Sequence, residues 1–309
     1  MATNGYFQHG IGVKEQSLGG AAIAYPQSVM SVATNPASAS VIGERLDLGI
    51  DWFSPHRSAD NGDGSGYHKS RCENFFIPQL GYSYSLSERL SLAFVAYANG
   101  GMQTDWPKNF FGTTNTSSDL EQVVIAPSLA FSVTPNHSLG VSANYIRQTF
   151  KVSGVQGLTT NGEDVSTGWG MRFGYLGQVS PFLKVGAFWQ PKTHMKKFDD
   201  YRDLFPGDGT FDIPETFGAG LAVELSEKIH IATDLVTIKY SDIPALGNLS
   251  TDIERGFGWQ DITVIKFGVA YDYSPALILR IGWNHGDTPL RSSETVINIL
   301  SPATIEDHL

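Results

Sequence analysis

The 309-residue sequence has a single cysteine, no run of about 18 apolar residues, and no cluster of basic residues. One cysteine excludes an internal disulfide, and Cys72, beside Arg71 in a polar stretch, reads as an incidental loop thiol. The missing apolar run excludes a helical membrane span. With 21 Lys and Arg against 31 Asp and Glu, a net charge of -10, the chain has nothing to offer nucleic acid or an anionic membrane surface. The eight histidines are scattered without metal-site spacing, so no metal or other cofactor is expected. The opening Met1-Ala2-Thr3-Asn4-Gly5 lacks a secretory leader pattern, which leaves export to be inferred from the fold and suggests a mature sequence with an artificial start.

What is present is a rhythm. Short turns recur at Ser87, Pro135, Pro181, Glu227 and Pro275, in steps of 48, 46, 46 and 48 residues. Each lies between two arms of about ten residues that alternate apolar with small or polar, and longer polar loops join one pair of arms to the next. Leu80, Tyr82, Tyr84 and Leu86 form one apolar row; Leu129, Phe131 and Val133 form another; Leu277, Leu279, Ile281 and Trp283 a third. Tight turns at one end and long loops at the other are the mark of an outer-membrane β-barrel. A soluble β-sandwich would alternate too. The tryptophans argue against it, because Trp52, Trp169, Trp189, Trp259 and Trp283 fall at the long-loop ends of candidate strands, where indole suits a headgroup-level girdle. A hydrophobic fraction of 41% and a mean hydropathy of -0.13 fit strands with a polar inner face.

The first strand runs from Leu46 to about Arg57 with no short turn before it, and the five hairpins bring the count to eleven. Bacterial single-chain barrels close with an even number of strands. Residues 45–309 are therefore expected to form a barrel lacking its C-terminal strands. Residues 1–44 carry no strand period and are rich in Gly, Ala and Ser; Pro26 is placed to open a helix through Ala33, and Asn35 to cap a second from Pro36 toward Ile42. A compact N-terminal piece ahead of a barrel reads as a plug in the lumen. The alternative, a disordered leader, sits poorly with so many apolar residues.

At these residues a family resemblance emerges. Gly5-Tyr6-Phe7-Gln8-His9-Gly10, Leu18-Gly19-Gly20-Ala21-Ala22 and Thr34-Asn35-Pro36-Ala37 resemble the N-terminal hatch of the FadL/TodX (OmpP1) outer-membrane transporters of long-chain fatty acids and hydrocarbons. Asn99-Gly100-Gly101-Met102, the segment Lys197 to Tyr201, Phe211-Asp212-Ile213-Pro214 and Gly256 to Asp261 are similar to later parts of that family, so the resemblance spans essentially the whole chain. Ser38 stands where relatives commonly carry Gly. The resemblance implies an all-β fold: a transmembrane antiparallel barrel of fourteen strands, about eleven of them present here, with a lumenal hatch of short helices. It also implies a monomer in the bacterial outer membrane, among membrane lipid and lipopolysaccharide, passing hydrophobic small molecules passively. Met195, Phe198, Leu204 and Phe205 would capture the ligand in the outer loops, and Gly5, Tyr6 and Phe7 would line its pocket. Asn35, Pro36 and Ala37 would mark the moving part of the hatch, with lateral release beside Asn99, Gly100 and Gly101, where the third strand, Leu90 to Asn99, ends. Paired glycines are places where a strand kinks and drops ladder hydrogen bonds.

Lys266 and Arg280 fall on the polar faces of adjacent strands and are expected near one another, either binding a ligand carboxylate or paired with Asp234 and Asp272. Fatty acid and aromatic hydrocarbon remain equally open as substrates. Other motifs fade on inspection. Asn61, Asp63 and Ser65 imitate a calcium loop whose twelfth position is Cys72 rather than Glu. A porin would want no plug, and an outer-membrane lipase, for which Ser226 and His230 are the nearest pair, would need an oxyanion hole that the sequence does not suggest. No enzyme is expected.

Overall fold

A computed structural model describes residues 4–112, 114–155 and 162–309; Met1 to Thr3, with which the expected hatch opens, lie outside the described residues. Eleven long strands follow one another: β1 Arg45–Phe53, β2 Phe75–Ser85, β3 Leu90–Asp105, β4 Ser117–Thr134, β5 His137–Ser153, β6 Asp164–Ser180, β7 Leu183–Gln190, β8 Thr216–Ser226, β9 Ile229–Ile238, β10 Ile262–Ser274 and β11 Leu277–Gly286. They form one antiparallel sheet in sequence order, extended by a two-residue strand, Asp307–His308, against Asn284 and His285 of β11. The five turns fall where the spacing puts them, between strand ends that are separated by two to four residues. Register irregularities just before several turns, as between Glu224 and Ser226, are bulges that fit these short connections to twisted strands.

Alternation does its work on the outer face. Leu46, Leu48, Ile50 and Trp52 of β1 point out while Asp47 and Asp51 point in; Leu277, Leu279, Ile281 and Trp283 are exposed on β11 while Asn284 is buried. Such an outward apolar row is at home only in lipid.

Residues 4–44 fill the inside as short pieces: a helical turn at Val13–Gln16, a 3-10 turn at Val29–Ala33, another at Pro36–Ser38, and a last turn at Ala39–Ile42. The second turn begins later than proline placement suggests. Ser28, not Pro26, is its cap, because the Ser28 hydroxyl accepts from the Met30 amide at 3.1 Å. The hatch touches strands around the whole order. The Val29 amide donates to Asp47 of β1 (2.8 Å), those of Ala22 and Ile23 to Asp234 of β9 (2.8 and 3.0 Å), and Asn284 of β11 donates to the Gly19 carbonyl (3.1 Å). Only a sheet curled around the hatch can offer partners on strands so far apart in its order. Glycines on the inner face make room: a Cβ on Gly140, Gly186 or Gly282 would run into hatch backbone.

The girdle is narrower than expected. Trp52 and Trp169 are 68% and 67% exposed, and Trp189 and Trp283 also face outward, but Trp259 and Trp106 are fully buried. Trp259 turns inward because its indole N–H finds Asn298 at 2.7 Å and its ring finds Tyr240, so its partners are in the lumen rather than at the membrane surface.

Candidate functional site

The wall is open between β2 and β3. Their ladder runs from Ser85/Ser91 to Leu80/Ala96 and stops. Beyond it Phe75 to Gln79 pair only with β1, and the rest of β3 pairs only with β4. Contrary to the expected strand end at Asn99, β3 continues to Asp105, and what happens at the glycines is a bulge: the register slips between Ala98 and Gly100, leaving Asn99 unmatched. Pro78 has no N–H to lose on its side of the gap. The hatch takes over some of the freed groups. Gly101 donates to the Tyr6 carbonyl at 3.0 Å, Phe7 bridges Gly100, and the Gln8 side chain donates to the Ala98 carbonyl at 2.6 Å. A Cβ on Gly100 would collide with that Tyr6 carbonyl, so only glycine lets the hatch this close. The result is a cavity of about 460 Å³ in the wall, lined by Phe75, Ile77, Pro78, Met102, Leu120 and Val123, with Asp119 and Glu121 also on its border.

A second hollow of about 470 Å³ lies among the outer loops, lined by Phe150, Leu204, Phe205, Phe257, Ile297 and Leu300 among others. From it a line of rings leads inward. Phe150 meets Phe205 at 4.8 Å between centroids, Phe205 meets Phe211 at 5.1 Å, and Phe211 meets Tyr6 at 6.3 Å. Tyr6 in turn touches Phe7 (4.6 Å), Tyr240 (5.5 Å) and Trp259 (6.1 Å). Tyr6 and Phe7 are the residues that meet the opening in β3, so one aromatic series connects the outer hollow with the gap.

Between hatch and wall sits a third, small cavity of about 70 Å³ that holds two cations, Arg172 of β6 and Lys266 of β10, beside Phe7, Asn99 and Phe188. Arg172 donates twice to Gln190 Oε1 (3.1 and 2.6 Å) and lies 5.4 Å over the Phe188 ring; Lys266 donates to the His9 carbonyl at 2.9 Å. Among the described residues neither forms an ion pair with a carboxylate. Lys266 and Arg280 are not side by side as expected: Lys266 is opposite Asn284 and Arg280 opposite Ala270, four positions along the ladder, about 13 Å at the strand rise. Lys266 does lie directly across from its expected partner Asp234 on β9, but the two do not close an ion pair, and Arg280 does not meet Asp272. Asp234 serves the Ala22 and Ile23 amides, Asp272 meets His230 at 3.2 Å, and Arg280 donates to Gln27 Oε1 at 3.1 Å. The hatch's demand for backbone partners outweighs pairing across the strands.

Asn35 is fully buried where the hatch meets β5 and β6. Its carbonyl oxygen accepts from the Ala37 amide at 3.1 Å, and its amide donates to the carbonyls of Ile23 (2.8 Å) and Tyr175 (2.9 Å). Pro36 and Ala37 press against Gly140 and Gly174, whose missing side chains form the recess. Deeper in the hatch, Glu15 is wholly buried, its Oε1 accepting from the Ser28 and Ser31 hydroxyls at 2.7 and 2.6 Å. Burial pushes this carboxyl above its ordinary pKa, and the hydrogen bonds from Ser31 and Ser28 only partly oppose that.

Of the residues singled out from sequence, Gly5 packs against Tyr240, Tyr6 joins the ring series, and Phe7 borders both the gap and the small cavity. Leu204 and Phe205 line the outer hollow, Phe198 packs behind them against Phe150, and Met195 bridges Gly168 at the mouth of β6. Arg172, Phe211, Tyr240 and Trp259 were not singled out as site residues; a charge between outward Met171 and Phe173 was the available signal for the first. Burial leaves the Cys72 thiol with a raised pKa, in keeping with an unreactive loop residue. The Ser226 hydroxyl accepts from the Lys228 and Ile229 amides and His230 turns to Asp272, so the Ser/His pair is not assembled.

Comparison with known proteins agrees with the fold. The family model for outer membrane protein transport proteins (OMPP1/FadL/TodX) matches residues 2–195. The toluene transporter TodX of Pseudomonas putida superposes with a TM-score of 0.71 at 19% identity, over 90% of this chain and 83% of that one. A FadL homologue of Pseudomonas aeruginosa gives 0.69 at 15% identity, over 93% and 82%. The toluene transporter TbuX of Ralstonia pickettii gives 0.69 at 18%, over 90% and 86%. No curated protein sequence matches.

Proposed function

The chain belongs to the OMPP1/FadL/TodX family of outer-membrane transport proteins, and we propose that it carries hydrophobic compounds passively from the outer loops to a lateral exit between β2 and β3. The observation that carries this reading is the interrupted ladder with the hatch bonded into it. Each CH₂ leaving water gains about 0.8 kcal/mol, so an apolar solute has little reason to follow an aqueous channel and good reason to follow apolar surface into lipid. It would collect in the hollow near Leu204 and Phe205, pass along the rings of Phe211, Tyr240 and Tyr6, and leave past Gly100 when the Tyr6 to Gln8 segment shifts. Movement of the hatch about Asn35, Pro36 and Ala37 belongs to the same proposal, as do a monomeric state and contact with lipopolysaccharide around the wall.

The small cavity favours one class of ligand. Arg172 and Lys266 face it with no carboxylate on its lining and neither closed into an ion pair among the described residues, although Asp234 lies across the ladder from Lys266; Phe7 and Phe188 surround them. An amphiphile with an anionic head and an apolar tail fits that combination, so fatty-acid-like ligands are preferred over neutral hydrocarbons in binding. The lumen contents speak against a general porin, since the hatch is bonded to the wall on β1, β9 and β11.

Ile77→Arg sets a charged side chain in the exit. Uptake of an apolar solute into cells expressing the protein should fall at least tenfold, with heat-modifiable gel migration unchanged. Uptake that persists through both this block and deletion of Asn4 to Phe7 overturns the route.

A further inference from the structure

The border of the exit is not electrically neutral. Asp119 and Glu121 lie on the outward row of β4, opposite Gln103 and Gly101 of β3, so both acids stand just past the bulge at Asn99, on the border of the opening. Glu121 is exposed. Asp119 accepts from Gln103 Nε2 at 2.8 Å through one oxygen, while the other is buried with no hydrogen-bond partner. Among the described residues no lysine or arginine lines this cavity. Of the surrounding cations, Arg71 is bound to Asp105 at 2.7 Å and Arg57 donates to the Gln103 carbonyl at 2.6 Å, while Lys151 on β5 lies directly opposite Asp119, on the side away from the cavity, and Arg147 opposite Val123. Among the described residues none closes an ion pair with Asp119 or Glu121. The inner cavity, by contrast, has two cations and no acid on its lining among the described residues.

A solute travelling from the inner cavity to the wall therefore passes from a cationic to an anionic border within one protein. We propose that Asp119 and Glu121 make the lateral exit charge-selective: it releases uncharged hydrophobic molecules, including carboxylic acids in their neutral form, and holds back the corresponding anions. This rests on the lateral path proposed above. Two like charges beside a narrow apolar opening repel an approaching carboxylate most where the surroundings are least polar, and the lipid beyond already disfavours the charged form. Inside, the same carboxylate is attracted. Binding and release thus prefer different protonation states of one ligand, and a neutral hydrocarbon feels neither influence.

The test compares laurate with dodecanol, chains of equal length that differ in charge, at pH 8 in cells or vesicles carrying the full protein. In Asp119→Asn/Glu121→Gln, nearly isosteric with the original, the ratio of laurate to dodecanol uptake should rise roughly tenfold, the low end of what focused surface charge does to ligand rates. Glu121→Lys should raise it further, and assembly is checked by heat-modifiable migration. A ratio that stays put, or rates that change equally for both solutes, overturns the selectivity. Ile77→Arg in parallel separates the two claims: dodecanol uptake that survives it overturns the lateral path and this selectivity together, whereas blocked dodecanol with an unmoved ratio overturns the selectivity alone.

Discussion

Two seams of the same wall meet the hatch in opposite ways. Between β5 and β6 the ladder runs unbroken from His137/Gly177 to Phe150/Asp164, and the hatch enters only because Gly140 and Gly174 have no side chains to stop it. Between β2 and β3 the ladder breaks off at Leu80/Ala96, and the hatch supplies the Tyr6 carbonyl and the Phe7 bridge that the missing strand partner would have given. Unpaired strand edges are costly in a membrane, where no water relieves them. The first seam is a recess in a finished surface and holds the hatch by shape; the second is an unfinished surface that the hatch completes. Shape must be broken to be released, while a few hydrogen bonds can be exchanged one at a time. Under the proposed route, the difference makes the Tyr6 to Gln8 end the part that shifts and the Asn35 to Ala37 end the held pivot about which it moves.

Overfilling the recess should have the largest effect. In Gly140→Leu the first added carbon already overlaps the Ala37 amide and the Pro36 carbonyl carbon. We expect about 3 kcal/mol of lost hatch docking, read as rapid protease cutting near Pro36 and increased entry of polar antibiotics. An uncut hatch would place the anchor elsewhere. Asn35→Ala comes next, since it leaves the Ile23 and Tyr175 carbonyls and the Ala37 amide without their buried partner. About 2 kcal/mol is expected, seen as faster amide exchange through residues 28–40. At the open seam the effect should be smaller and local: Gly100→Ala displaces the Tyr6 carbonyl, costs about 1 kcal/mol, and quickens exchange only around Tyr6 to Gln8 and Gly101. Spread of that change to residue 35 would erase the contrast between the seams.

The smallest expected change is a dependence on pH. Burial raises the Glu15 carboxyl above its unfolded value. A group raised in this way favours the docked state at pH below the unfolded value and loses that contribution as pH climbs through the raised one. Exchange of the Ser28 to Ala33 amides should therefore quicken from acid toward alkaline pH beyond the intrinsic trend, and Glu15→Gln should flatten the excess. No difference between the two proteins would mean that Glu15 does not report on docking.

Strands and turns were legible because a period of two and a near-constant turn spacing are local properties, written into runs such as Leu277 to Trp283. The hatch helix from Pro36 was legible for the same reason: Asn35 and Pro36 are its own start signal. What failed depended on partners far away. Trp259 resembles Trp189 in sequence, and only the lumenal Tyr240 and Asn298 draw it inward. The glycines after Asn99 marked an irregularity correctly but not its form, because continuation of β3 to Asp105 relies on pairing with β4. Lys266 and Arg280 were placed on the right face but too near one another, since a tight turn at Pro275 already sets Lys266 against Asn284, four positions from Arg280.

The anchoring bonds also impose an order in time. Ala22 is 212 residues from Asp234, His9 is 257 from Lys266, and Gly19 is 265 from Asn284. The segment made first has its partners among the strands made last. Closing such loops becomes only slowly more unfavourable with length, but it cannot happen before the far ends exist. Residues 4–44, rich in apolar side chains, must therefore wait unseated until β9 to β11 are laid down, and they can settle only against a wall that already includes those strands.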